Sequence, residues 1–248
     1  MPIFHDARLK IDRAEKHIAD IKVRIERMHE TNTAVVEINP NTGGEVLKHD
    51  FADPAAFSDL ALIVGDAFHN LNCALDYTWL ETIKRVVPAA VGKFAKFPVR
   101  ETVDELEAAL RGREIHIASP PLFELIVDQI KPYDGGNFGV WQIHHLDIRD
   151  KHRLLIPILS SANITGIKIQ DERGEVWPGD ASTQEFQHPP YYISFQKGLH
   201  VKDKGKLRAR IVIRERGISY PILMPDTISL YSQVLAKLVE IFESFLES

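Results

Sequence analysis

A chain of 248 residues, 44% hydrophobic and 26% charged, has room for a sizeable core and lacks the composition of a disordered protein. Its formal net charge of -5 argues against a dedicated nucleic-acid binder, whose phosphate contacts call for a basic excess, although a local basic patch escapes that average. Cys73 is the only cysteine, which rules out an intrachain disulfide and a cysteine-built zinc site and fits a reducing compartment.

The amino terminus, "MPIFHDARLK", has no apolar stretch of signal-peptide length, and the longest clean apolar run, Leu60 to Val64, is too short to cross a bilayer. A cytoplasmic location without a membrane partner is the expectation. The first element is a helix from Asp6 to about Glu30, where Ala7, Ile11, Ala14, Ile18, Ile21, Ile25 and Met28 alternate four and three apart. That is a heptad seam, read here as a packed edge within the fold rather than a free coiled-coil dimer. "TAVVEINPNTGGEVLKHDF" places two β-type runs around a cluster of turn formers and predicts a hairpin.

The spacing of Phe57, Leu60, Val64, Phe68, Leu71, Leu75 and Trp79 predicts a second helix from about Pro54 to Val87, ended by Pro88. Shorter helices are expected over Val103 to Leu110 and Pro121 to Ile130, and another begins near Asn137 after "KPYDGG". From there the period changes to that of strands. "RLLIPIL", "ITGIKIQ", "YYISFQK" and "RARIVIRER" predict a mostly antiparallel sheet, and Pro225-Asp226-Thr227 opens a last helix with Tyr231, Val234, Leu235, Leu238, Ile241, Phe242 and Phe245 on its apolar side. The expected fold is a single α+β domain over 1-248: a helical bundle, helix-rich over 1-152, with an attached mostly antiparallel β-sheet and a closing C-terminal amphipathic helix over 153-248.

Between Leu60 and Leu80 the second helix carries only two formally charged residues, Asp66 and Asp76, yet also holds His69, Asn70, Cys73 and Tyr77. At about 100° per residue, Asp66, Asn70, Cys73 and Tyr77 lie close to one line, with His69 and Asp76 about 60° to 80° to its side. A water-facing stripe normally carries Lys, Arg and Glu, so this one is expected to face another element or a cleft. In "IHHLDIRDKHRLL", His144, Asp147 and Lys151 share one side of a helix, and His145, Arg149 and His152 another. Asp66, His69 or Asp76 is therefore expected to come within hydrogen-bonding reach of the 144-153 segment.

Three readings of this constellation stand together. Asp66-x-x-His69 and His144-x-x-Asp147 each set a nitrogen and an oxygen ligand one turn apart, as in a divalent transition-metal site that activates water for hydrolysis. A metal-free enzyme would use His69 or His144 as general base, Asp76 among the orienting carboxylates, and Lys151, His152 and Arg153 as the polar and cationic partners of a small anionic ligand. The third reading is a noncatalytic binding or interaction protein in which the same groups form a structural hydrogen-bond network. The alternating Arg208, Arg210, Arg214 and Arg216, preceded by Lys202, Lys204 and Lys206, suit an anion or RNA surface or, with so few aromatics between them, a solvated sheet face. The histidines at 5, 17, 29, 49, 116, 188 and 200 read as surface or packing residues, and nothing in the sequence sets an oligomeric state.

The segments "GDAFHNLNCALDY", "KPY" and "IHHLDIRDKHR" resemble a widespread uncharacterised bacterial family with the pattern "GDxxHNLRxALDH", "QPY" and "LHxLDxxDKHR". The resemblance implies no activity. It groups Gly65, Asp66, His69, Asn70, Leu71, Asp76, His144, Asp147, Asp150, Lys151, His152 and Arg153 as one constellation. The pattern's Arg-x4-His is similar to that of HEPN-type ribonucleases, but this chain carries Asn72 and Tyr77 at those two positions, which departs from that chemistry.

Overall fold

The computed structural model describes residues 3-51, 53, 55-88, 96-155, 157-183, 189-213 and 222-248. The chain is α+β, with helices α1 (His5–Glu30), α2 (Ala55–Val86), α3 (Val103–Arg111), α4 (Ile115–Ala118), α5 (Pro120–Glu124), α6 (Phe138–His152) and α7 (Asp226–Glu247). Its strands are β1 (Thr33–Ile38), β2 (Glu45–Asp50), β3 (Pro157–Gln170), β4 (Val176–Ser182), β5 (Tyr191–Ser194), β6 (His200–Ile213) and β7 (Ile222–Leu223). Contacts divide it into two compact units, one drawing on Met1–Ala19, Leu62–Leu155 and Pro225–Ser248, the other on Asp20–Ala61 and Ile156–Met224.

The first unit is helical. Ala7, Ile11, Ala14 and Ile18 of the α1 seam and Val64, Phe68, Leu71, Leu75 and Trp79 of the α2 stripe are buried, because each set is confined to one side at helical spacing; the remaining seam residues Ile21, Ile25 and Met28, with Leu60, belong to the second unit and are buried too. The core closes on aromatic edges: Phe242 of α7 packs edge-on against both Phe4 and Phe97, at 6.4 and 6.2 Å between ring centres, and Phe97 packs against Trp79 at 5.9 Å. Local chemistry sets the helix starts. Thr102 Oγ1 accepts from Glu105 N at 3.2 Å, Pro120 opens α5, and Asn137 Oδ1 accepts from Val140 N at 3.2 Å to begin α6. In place of one helix over 121-130, α5 passes into a π-helical turn, Leu125–Ile130, ended by Lys131 at φ 54°. The "DGGNFG" segment before α6 is a turn in which Lys131 O accepts from Asn137 N at 2.7 Å.

The second unit holds both sheets, ordered β1-β2-β5 and β4-β3-β6-β7, with antiparallel pairing throughout. The expected hairpin is β1-β2. "YYISFQK" contributes β5, which pairs with that hairpin. "RLLIPIL" becomes a strand only from Pro157, and joins "ITGIKIQ" in one long strand, β3. Strand β4 was not expected, because "VWPGDAS" contains Pro178 and Gly179; it is tolerated as an edge strand, where a missing ladder donor costs little. β6 begins earlier than expected and takes in the lysines at 202, 204 and 206. Arg214, Arg216, His188 and Pro54 lie outside the described residues. No helix among the described residues is long and apolar enough to cross a membrane.

Candidate functional site

Within the first unit, a side chain of α6 reaches the backbone of α2 at position 65, which has no side chain of its own. A Cβ on Gly65 would stand 2.3 Å from Asp150 Oδ2, so the α6 carboxylate occupies the space that any larger residue would need. Glycine inside a helix costs about 1 kcal/mol relative to alanine, and here it permits interhelical contact in return. Asp150 accepts from Leu155 N at 3.4 Å, and burial, more than the neighbouring charges of Asp147 and Asp66, raises its pKa above the ordinary carboxylate value.

The approach brings the two polar stripes together at Asp147, which is 1% exposed. Its Oδ2 accepts from Asn72 Nδ2 at 2.6 Å and from Lys151 Nζ at 2.5 Å, one turn on in α6, while Oδ1 accepts from His69 Nδ1 at 3.0 Å. A buried carboxylate is costly unless paired and hydrogen-bonded, and this one has an amide, an ammonium and an imidazole. Asn72 Oδ1 accepts in turn from His144 Nδ1 at 3.1 Å. Burial drives the His144 pKa down to about 4, against the opposing field of Asp147, so His144 is a neutral donor in this chain of bonds.

His69 is placed differently. With Nδ1–H committed to Asp147, Nε2 is the acceptor nitrogen, and it lies 3.5 Å from Cys73 Sγ, one turn along α2. Burial, followed by a smaller opposing field from Lys10, leaves the Cys73 thiol with a raised pKa, so it is protonated at neutral pH and donates toward Nε2. Lys10 Nζ on α1 donates to Asn70 Oδ1 at 3.3 Å, and Asn70 Nδ2 to the Asp66 carbonyl at 2.8 Å. Beside Asn70 runs an open groove of about 300 Å3 lined by Asp6, Leu9, Lys10, Arg13, Asn70 and Tyr77. A larger groove, about 500 Å3, belongs to the second unit and is lined by Arg24, Arg27, Asp20 and Asp59 around Val23 and Phe51, with no cysteine or histidine among its described lining residues.

Of the residues singled out from the sequence, His69, His144, Asp147 and Lys151 therefore meet. Asp66 stays on the exposed side of α2, where its carbonyl accepts from Asn70. Asp76 accepts from Phe97 N at 2.9 Å and pins that backbone; burial raises its pKa. His152 ends α6 about 140° around the helix from Asp147, and Arg153 caps it, both exposed. The metal-ligand quartet does not assemble. His69 and Asp147 are bonded to each other, Lys151 occupies Asp147 Oδ2, Asn72 stands between Asp147 and His144, and among the described residues no three His, Cys, Asp or Glu side chains are placed to hold a metal ion.

Sequence reasoning gave no role to Asn72 or Cys73. Nothing in composition marks Asn72, whose function is to bridge two α6 side chains, but the i, i+4 spacing of His69 and Cys73 is visible in the sequence. In the second unit, Arg208 is spent on Glu26 at 2.7 Å and Lys204 on the Ala34 carbonyl at 2.8 Å, which takes two cations from the proposed anion strip. No family model, curated protein or solved structure matches the chain.

Proposed function

We propose that the protein is a hydrolase whose general base is His69, held in the working tautomer by Asp147, with no metal required by the arrangement of its donors. The observation that carries this reading is the division of labour on one ring: Nδ1 lies 3.0 Å from a carboxylate that is 1% exposed, while the His69 side chain is itself 49% exposed. A base needs one nitrogen fixed and the other able to meet a reacting group. Asp147 acts as a positioning residue, and its remaining oxygen accepts from the Asn72 amide and pairs with the Lys151 ammonium. The test is hydrolysis of 4-nitrophenyl acetate by the full chain. His69→Gln should lower kcat/KM by about 10²-fold or more with the melting temperature kept near that of the parent. Unchanged hydrolysis in His69→Gln overturns the reading.

A second reading is favoured by the neutral His144 and the saturated Asp147: a noncatalytic binding or interaction protein in which this network holds α2 and α6 in register. In that case His69→Gln and the parent protein show the same low background rate.

A further inference from the structure

We infer that Cys73 is the covalent nucleophile of this site, forming a thioester with acyl substrates that carry an anionic group. The inference rests on the reading of His69 as the base and adds what the base acts upon. Cys73 Sγ, His69 Nε2, His69 Nδ1 and Asp147 Oδ1 follow one another with separations of 3.5 and 3.0 Å across the two side-chain contacts, the order of nucleophile, base and orienting carboxylate. The thiol is held protonated: burial opposes the thiolate and outweighs the opposing field of Lys10, and the aspartates at 147 and 76 oppose the thiolate further. Such a thiol must lose its proton as it attacks, which is the work of an adjacent base.

The step balances without a further co-reactant. Cys73 Sγ forms a bond to the acyl carbon as its proton passes to His69 Nε2; the bond from that carbon to the leaving oxygen or nitrogen breaks, and His69 returns the proton to the leaving group. Water then attacks the thioester, giving its proton to His69, and the C–S bond breaks to release the acid and restore the thiol. Lys10 exerts the largest charge effect on Cys73, and it lines the neighbouring groove with Arg13, Leu9 and Tyr77. Lys10 and Arg13 outnumber Asp6, the one acid among the groove's six lining residues, so the groove's charge favours an anionic substituent, while Leu9 and the exposed part of Tyr77 offer an apolar wall.

The full chain is treated with 4-nitrophenyl acetate and with the mono-4-nitrophenyl ester of succinic acid, quenched in acid and weighed intact. A mass gain of one acyl group, mapped to Cys73 and lost in Cys73→Ala, is expected, with His69→Gln slowing acylation by about 10²-fold. Lys10→Met should lower the preference for the succinyl over the acetyl ester about threefold, the scale of one half-exposed ion pair. A parallel arm measures alkylation of Cys73 by iodoacetamide, which needs no knowledge of the substrate and should be slower in His69→Gln. If Cys73→Ala hydrolyses both esters at the parental rate while His69→Gln does not, water is the nucleophile: the covalent step is overturned and the base survives. Should neither variant alter hydrolysis, both readings fall. A parent protein that forms no adduct and whose alkylation is indifferent to His69→Gln also overturns the inference, and an unchanged ester preference in Lys10→Met removes the assignment of the anionic substrate.

Discussion

His49 in the second unit and His69 in the first both have each ring nitrogen near a polar neighbour, but the two rings are connected to different things. His49 lies on β2 with 0% exposure; its Nε2 donates to the Lys204 carbonyl at 2.8 Å and its Nδ1 is 3.3 Å from the Asn32 amide, so the imidazole staples strands and burial lowers its pKa. His69 spends one nitrogen on a buried carboxylate and aims the other at a thiol. Burial of the whole ring makes a structural histidine, whereas burial of only the partner makes a histidine that can work. The difference lies in which atoms are desolvated, and the residue type says nothing about it.

Removing the shared acceptor gives the largest effect expected of this contrast. Asp147→Ala leaves Asn72 Nδ2, Lys151 Nζ and His69 Nδ1 without their shared buried acceptor and should cost about 4 kcal/mol in urea unfolding. A loss below about 1 kcal/mol would show that the network contributes little to the first unit. Next comes the pair of histidines themselves. His49→Ala deletes a fully buried ring and its bond to Lys204 and should cost about 3 kcal/mol, while His69→Ala should cost less than about 1 kcal/mol, as for an exposed side chain. If the order is reversed, the division between staple and base is wrong.

The smallest effect is a pH dependence. An unfolded chain's histidine takes up a proton as pH falls below 6.5, but His144 in the folded protein does so only near 4, so the unfolded state binds more protons between these values. Stability is therefore fully present above 6.5 and falls through this window, by about 2 kcal/mol at about pH 5 for His144 alone. His49 is shifted in the same direction. Asp76 and Asp150 are raised by burial and oppose the loss, because there the folded state takes its proton first as the pH drops toward 3.8. Urea melts across this range should show the slope in the parent and a shallower one in His144→Gln. Equal slopes would remove His144 from the account.

The helical half of the fold was legible because its signals are periodic and local: the α1 seam and the α2 stripe are each fixed by spacing along one element. The sheet was legible as a class but not in its pairing. "YYISFQK" looks like any other strand, and its choice of β2 as partner is a long-range event, while Pro178 and Gly179 conceal β4 from propensity. In the site, the meeting of His69 with the 144-153 segment was foreseeable from charge-poor polar stripes. The roles within it were not. Asn72 has its function only because Asp147 and His144 stand on either side of its amide, and the expected metal quartet gave way because a lysine and an asparagine occupy the positions from which an ion would be held.

The seat of Asp150 over Gly65 ties two distant positions in the chain by volume. A change at one is felt at the other. A methyl group added at 65 requires the Asp150 carboxylate to swing aside or a shorter side chain to stand at 150, so sequences that keep the carboxylate in its seat should change the two positions together, trading size across the contact. The same exchange would leave the hydrogen bonds around Asp147 where they are, since none of them passes through either residue. Divergence at this crossing is then channelled into paired steps, and a lineage carrying only the first of them holds its polar seam slightly ajar.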